Sequence, residues 1–255
     1  MGANKEIADE IVMRIEKQLY SGMPTNKILQ IILKSLRSHK PAFRHLFDLR
    51  RGLSFMDSKP EFEVFVQVLL ANKGFEVTPN RILPGKCAEH EVDAIAKKDN
   101  LTYFVEAKHH VNYHTPTGLD ESRIARAILE DVSEGFQCGK CDPRIDRAMI
   151  VTNTRYSEHA KRYGECRNIL QIGWNSPIYL SLQTMIEENK LYPISCLRGV
   201  PRSAKTKLVK SGIVLIKQLL DEKASTLARK TGISKETLRK IMEKARSSFT
   251  ATSQL

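Results

Sequence analysis

The stretch His90–Lys108, HEVDAIAKKDNLTYFVEAK, restricts this chain more than any other. Its apolar residues fall in two short runs, Val92, Ile95 and Ala96, then Tyr103, Phe104, Val105 and Ala107. Lys97, Lys98, Asp99 and Asn100 lie between them, so the pattern predicts two buried strands joined by a polar turn. An ionised carboxylate is costly in such a strand unless it is paired or holds a cation. Yet Asp93 lies in the first strand, and Glu106 and Lys108 close the second. Glu106 and Lys108 are two residues apart and so project from one face. Two carboxylates and an amine meeting there suit a hard cation such as Mg²⁺ beside a phosphate. The alternative is an ion pair closing a sheet edge.

Asp93 followed by Glu106-Ala107-Lys108 resembles the D…ExK signature of the PD-(D/E)XK nuclease superfamily, and within it the Mrr-type restriction endonucleases. The segment Phe62-Glu63 through Val66, Leu69, Leu70, Gly74 and Phe75 is similar to the opening "FE..V..LL...G(F/Y)" of that branch. The later run IVTNTRYSEHAKRYGECRNILQIGW is similar to its closing segment. The resemblance implies a mixed sheet flanked by helices, an α/β restriction-endonuclease-like fold, in the order helix–β–β–β–helix–β–helix–β. It implies Asp93 and Glu106 as ligands of Mg²⁺ or Mn²⁺, with the backbone of Ala107 as a third. It also implies Lys108 at the attacking water or the phosphate, Glu63 as the acidic residue of the helix, and a 5′-phosphate product. His109, beside Lys108, joins these as a candidate for contact with the phosphate, because an imidazole titrates near neutrality. His90, His110 and His114 are secondary candidates, and a merely polar loop is the alternative for the histidines.

The net charge is +12 over 255 residues, and it is unevenly placed. Between Arg198 and Arg246 lie 14 of the 41 basic residues and 4 of the 29 acidic ones. That segment suits a polyanion, whose counterions are released when its phosphates are neutralised. Leu208–Ile213 and Ala228–Ile233 form a degenerate repeat 20 residues apart, each with a glycine between two helical runs. This resembles a tandem helix-hairpin-helix, as in the N-terminal DNA-binding module of recombinases, although the full double-glycine hairpin is absent. The resemblance and the charge point to Lys205, Lys207, Lys210, Arg229, Lys230 and Lys235 as DNA contacts, with Ser234 as the N-cap of the last helix. A basic helical packing module is the alternative.

Residues 4–58 read as three helices, with Ile7, Ile11, Ile15 and Leu19 at helical spacing, a break at Ser21-Gly22, and Thr25 starting the second. The third runs from about Pro41 to Met56. GANKEIADEIVMRIEKQLYSGMPTNKI is similar to the latter part of an ATP cone, a nucleotide-sensing module. Such a cone starts with a β-hairpin that residues 1–10 do not supply. ATP binding is therefore not expected, and a packing or dimerisation module is.

No run approaches the ~18 apolar residues of a membrane span, and the N-terminus has no signal-peptide core. Five cysteines at irregular spacing do not form a disulfide framework. A cytoplasmic location follows as the default. Cys138-Gly139-Lys140-Cys141 has knuckle spacing without a second such pair, so structural zinc is not expected.

The sequence thus predicts a helical domain (1–58), a nuclease domain (59–196) and a basic DNA-binding segment (197–255). The expected activity is a Mg²⁺-dependent DNA endonuclease of restriction or repair, with weak sequence preference. Cutting both strands calls for two active sites, which suits a homodimer with the N-terminal helices as candidate interface. The alternatives are a catalytically silent DNA-binding or regulatory module on the same fold, and a nuclease for branched DNA or RNA.

Overall fold

The computed structural model describes residues 5–39 and 49–253. Five strands, β1 (Glu76–Pro84), β2 (Glu89–Lys98), β3 (Leu101–Lys108), β4 (Arg147–Thr152) and β5 (Leu170–Ile172), form one sheet in sequence order. The expected hairpin is β2–β3. Its turn is only two residues long, Asp99 and Asn100 with φ of 51° and 61°, the left-handed pair that a tight hairpin requires. β3, β4 and β5 run parallel, so each step needs a crossover. Helix α5 (Leu119–Gln137) supplies the first and α6 (Glu158–Cys166) the second. Preceding the sheet is α4 (Glu63–Asn72), so the element order is the one the sequence predicts.

β1 is longer than expected. The sequence alone predicts a strand over 76–79 and a loop over 80–89, because Pro79, Asn80, Pro84 and Gly85 are poor strand formers. In the structure β1 continues through them to Pro84, paired with β2 down to Pro84↔Glu89. Cross-strand pairing outweighs intrinsic preference here.

The central strands β3 and β4 are buried on both faces. Phe104, Ala148 and Ile150 join Ala125, Leu129 and Val132 of α5 and Ala160 of α6 in one core. The intervening Tyr103, Val105, Met149 and Val151 are buried as well. Gly135 lets α5 cross close to the end of β1: a Cβ there would lie 2.6 Å from the Pro84 carbonyl oxygen. Tyr156, fully enclosed, donates its hydroxyl to the Ile150 carbonyl at 2.7 Å, which satisfies the polar atom inside the core.

The chain packs as two compact units, one of Leu49–Asp221 and one of Met1–Asp48 with Glu222–Leu255. The first holds the sheet together with α3 (Leu49–Ser54), α7 (Leu182–Glu188), α8 (Arg202–Lys210) and α9 (Ile216–Asp221). The described part of the second comprises α1 (Lys5–Glu16), α2 (Thr25–His39), α10 (Ala224–Thr231) and α11 (Lys235–Ser253). Gly232, with φ of 64°, ends α10, and Ser234 caps α11 by accepting the Thr237 N–H at 3.2 Å. Of the third N-terminal helix, expected over 41–56, α3 is the described part; residues 40–48 lie outside the described residues.

Candidate active site

The site lies where strand pairing breaks on both sides of Asp93. The β2–β3 ladder ends at Ala94↔Val105. One further antiparallel step would set Asp93 against Glu106, a like-charge pair that a sheet disfavours. Instead the Asp93 carboxylate takes over: its Oδ2 accepts the Ala107 N–H at 2.7 Å. On the other side the β1–β2 register passes from Pro79↔Ala94 to Arg81↔Val92 without an Asn80–Asp93 rung, and Asn80 has φ of 42°. Gln67 of α4 bridges this gap. Its Nε2 donates to the Asp93 carbonyl at 2.9 Å and lies 3.4 Å from Asn80 Oδ1. Asp93 is thereby fixed at backbone and side chain by two neighbouring elements.

Charge gathers around it. Glu63, the first residue of α4, is buried. Burial, and then the charge of Asp93, raise the Glu63 carboxyl above the ordinary carboxylate value. Glu106 is raised as well, again mainly by burial, with Lys108 opposing the shift. Lys108 Nζ lies 3.2 Å from Glu106 Oε2 and 3.5 Å from Glu121 Oε2 on α5. Burial would lower the Lys108 ammonium, but these two carboxylates outweigh it, and its pKa stands above the usual lysine value. Lys59, four residues before Glu63, points its amine into the acidic group: 3.3 Å from Glu63 Oε1, 3.4 Å from Glu91 Oε1 and 3.9 Å from Asp93 Oδ1.

The fold thus brings Glu63, Asp93, Glu106 and Lys108 together, with Ala107 contributing its N–H. His109 is directed elsewhere. Its Nε2 lies 2.9 Å from the Leu53 carbonyl and its Nδ1 3.4 Å from Ser58 Oγ, while its ring packs on Phe62 at 5.3 Å between centroids. Burial lowers its pKa, so the neutral ring is favoured. The His110 Nε2 lies 3.1 Å from Thr117 Oγ1; its backbone N–H donates to Asn153 Oδ1, and its carbonyl accepts from Nδ2 of the same buried residue. His90 pairs with Asp131 at 2.8 Å.

Of the basic residues expected at DNA, Lys207, Lys210, Arg229 and Lys235 are exposed. Lys230 is ion-paired with Glu222 at 2.6 Å. Lys205 is half-buried: it donates to the Ser195 carbonyl at 2.8 Å, and burial lowers its pKa. Three site residues escaped the sequence reading: Lys59, Gln67 and Glu121. Gln67 follows Glu63 at i+4, a spacing that marks one helical face, whereas Lys59 lies ahead of the helix in extended backbone, where no helical spacing marks it. Nothing in the sequence singles out Glu121.

The donor set suits a hard cation, since it offers carboxylate oxygen and no sulfur or imidazole. The Lys59 ammonium already stands where three carboxylates call for positive charge. Its contacts of 3.3–3.9 Å are wider than the roughly 2.0–2.1 Å of Mg²⁺–oxygen bonds. Among the described residues no three Asp, Glu, His or Cys side chains converge closely enough to cage an ion as they stand. The residues fit a divalent cation in type, and their oxygens must draw together to hold one.

Residues 56–172 match the family described as restriction endonuclease, and residues 192–247 match that described as AF1548-like, C-terminal. An uncharacterized protein of Archaeoglobus fulgidus is 33% identical over 179 residues, covering 70% of this chain and 96% of that protein. The crystal structure of a protein of unknown function, AF1548, superposes with a TM-score of 0.65 at 31% identity, covering 74% of this chain and 96% of the other. With its five-stranded mixed sheet and the acid–acid–lysine cluster at its broken rung, the chain belongs to this AF1548-like family, and through its restriction-endonuclease domain to the PD-(D/E)XK nuclease superfamily.

Proposed function

We propose that the chain is a divalent-cation-dependent DNA endonuclease whose active centre is Glu63, Asp93, Glu106 and Lys108. The observation that carries this reading is the Asp93–Ala107 hydrogen bond, which locks the first acid of the motif onto the backbone between Glu106 and Lys108. Asp93 and Glu106, with the Ala107 backbone, are the residues to hold Mg²⁺ or Mn²⁺, and Glu63 lies close enough to act through a water or at a second ion. A divalent cation bound there supplies Lewis-acid polarisation of the phosphodiester and acidifies a water. The protein's own part is placement. Lys108, braced by Glu106 and Glu121, presents a cation to the phosphate oxygens as negative charge builds on them. Gln67 holds Asp93 in register with it.

DNA is the substrate the restriction-endonuclease domain points to. The exposed Lys207, Lys210, Arg229 and Lys235 are proposed to engage its phosphates, which gives affinity without sequence preference. The test is nicking and linearisation of supercoiled plasmid with Mg²⁺ or Mn²⁺ by wild type, Asp93→Asn and Lys108→Met. Cation-dependent cutting by wild type alone supports the assignment. Plasmid that is bound and never cut, in wild type as in the variants, refutes cleavage of duplex DNA, and the same assay on four-way-junction DNA then separates a nuclease for branched DNA, which cuts it, from a binding module, which does not.

A further inference from the structure

Three acids, Glu63, Glu91 and Asp93, share one lysine. The Lys59 side chain is 65% exposed, so packing does not hold its amine in place, whereas the Glu63 and Asp93 side chains are only 8% and 11% exposed. Its backbone is extended, at φ −124° and ψ 135°, just ahead of α4, and this directs the side chain back across the first turn of that helix. The second lysine of the site, Lys108, is turned to Glu106 and Glu121. Among the described residues, Lys59 is therefore the cation paired with both Glu63 and Asp93. An exposed ion pair alone contributes little to stability, but here the lysine neutralises carboxylates that burial has stripped of water.

We propose that Lys59 is a tethered counter-cation, which holds the acidic cluster together in the absence of metal and competes with a divalent cation for the same carboxylates. The inference rests on the cation-dependent reading above. The Lys59 amine lies 3.3–3.9 Å from Glu63 and Asp93, the same carboxylates that an ion would share. An ammonium and a divalent cation in one cluster also repel each other. Because the lysine is largely exposed, it can swing into solvent at small cost when the ion enters. The site would thus exchange one resident charge for another, and its affinity for metal would be set partly by a residue outside the acid–acid–lysine motif.

The experiment titrates the full-length chain with Mn²⁺ alone, without DNA, following free Mn²⁺ by electron paramagnetic resonance. Wild type, Lys59→Met, Lys59→Gln, Lys59→Arg and Asp93→Asn are compared, and each is melted with and without Mn²⁺. Removing the charge is expected to tighten Mn²⁺ binding by about fivefold in both neutral variants, the order expected for one partly screened charge. Lys59→Arg should bind as wild type does. The metal-free neutral variants should melt below wild type, and Mn²⁺ should raise their Tm by more than it raises that of wild type. If Asp93→Asn abolishes binding while the neutral Lys59 variants bind as wild type or more weakly, the metal site stands and the role of Lys59 falls. If wild type shows no saturable Mn²⁺ binding, or Asp93→Asn binds equally well, the cation-dependent reading falls and Lys59 with it.

Discussion

Asp93 has two duties that substitution can separate. Its Oδ2 accepts the Ala107 N–H at 2.7 Å, where the β2–β3 ladder has ended. Asp93→Ala leaves that partly buried N–H without its acceptor, a loss of about 1–3 kcal/mol. Relief of the repulsion that Asp93 exerts on Glu63 and Glu106 offsets part of this. The expected net destabilisation is about 1–2 kcal/mol, or roughly 2–4 °C in Tm per kcal/mol for a chain of this size. Asp93→Asn keeps a side-chain carbonyl to accept the same N–H and is equally relieved of the negative charge, so it should unfold within about 0.5 kcal/mol of wild type. Both variants lose the charge a cation needs and should be inactive. Thermal and urea unfolding of the three proteins, beside the plasmid assay, measures each duty. Equal stability of Asp93→Ala and Asp93→Asn would show that the Ala107 contact contributes nothing. Cutting by Asp93→Asn would show that the negative charge is not used.

Other expectations follow from the same geometry. Burial raises the Glu106 carboxyl, so the folded protein keeps a proton that the unfolded chain has already released, and stability falls as pH rises through the folded-state value. Glu106→Gln should therefore melt above wild type at pH 7–8, and the gain should vanish below roughly pH 4, where both states are protonated. Gln67→Leu removes the tie to the Asp93 carbonyl; unfolding should show a loss of about 1 kcal/mol, and the plasmid assay slower cutting. Gly135→Ala sets a methyl group 2.6 Å from the Pro84 carbonyl oxygen, and calorimetry should register roughly 1–3 kcal/mol of destabilisation. In DNA-binding titrations against salt, Lys207→Gln and Lys210→Gln should each reduce the slope by about 0.9. Lys205→Gln, whose amine is committed to the Ser195 carbonyl, should leave the slope unchanged.

The sheet's centre was legible because its signals are local. Tyr103-Phe104-Val105 and Arg147–Thr152 are short apolar runs bounded by turn residues, and Asp99-Asn100 adopts the backbone its sequence favours. The second half of β1 was hidden because Pro79, Asn80 and Pro84 carry turn signals of their own, and only pairing with β2 overrides them. The same holds for the site. Asp93, Glu106 and Lys108 could be read as charges misplaced in apolar strands, and Glu63 through its helix. Gln67 acts by donating to a backbone carbonyl and Glu121 by pairing across to another element, and residue identity encodes neither relation. His109 shows the converse relation: it adjoins Lys108 in sequence, yet its ring is hydrogen-bonded at the Leu53 carbonyl.

The broken rung explains why fold and chemistry conflict at this point. Continuing β2 and β3 by one step would have opposed Asp93 and Glu106 directly; parting them opens room beside both acids but forfeits ladder hydrogen bonds that Asp93 and Gln67 then replace from their side chains. The acids remain crowded even so, because burial and mutual repulsion leave the Glu63 and Glu106 carboxyls raised. Crowded, dehydrated oxygens are what a divalent cation relieves most, so the feature that weakens the metal-free fold also favours metal binding. Glu106→Gln should accordingly gain stability only while metal is absent. With Mn²⁺ present the order of melting should reverse, since wild type then gains binding energy that the amide variant cannot match.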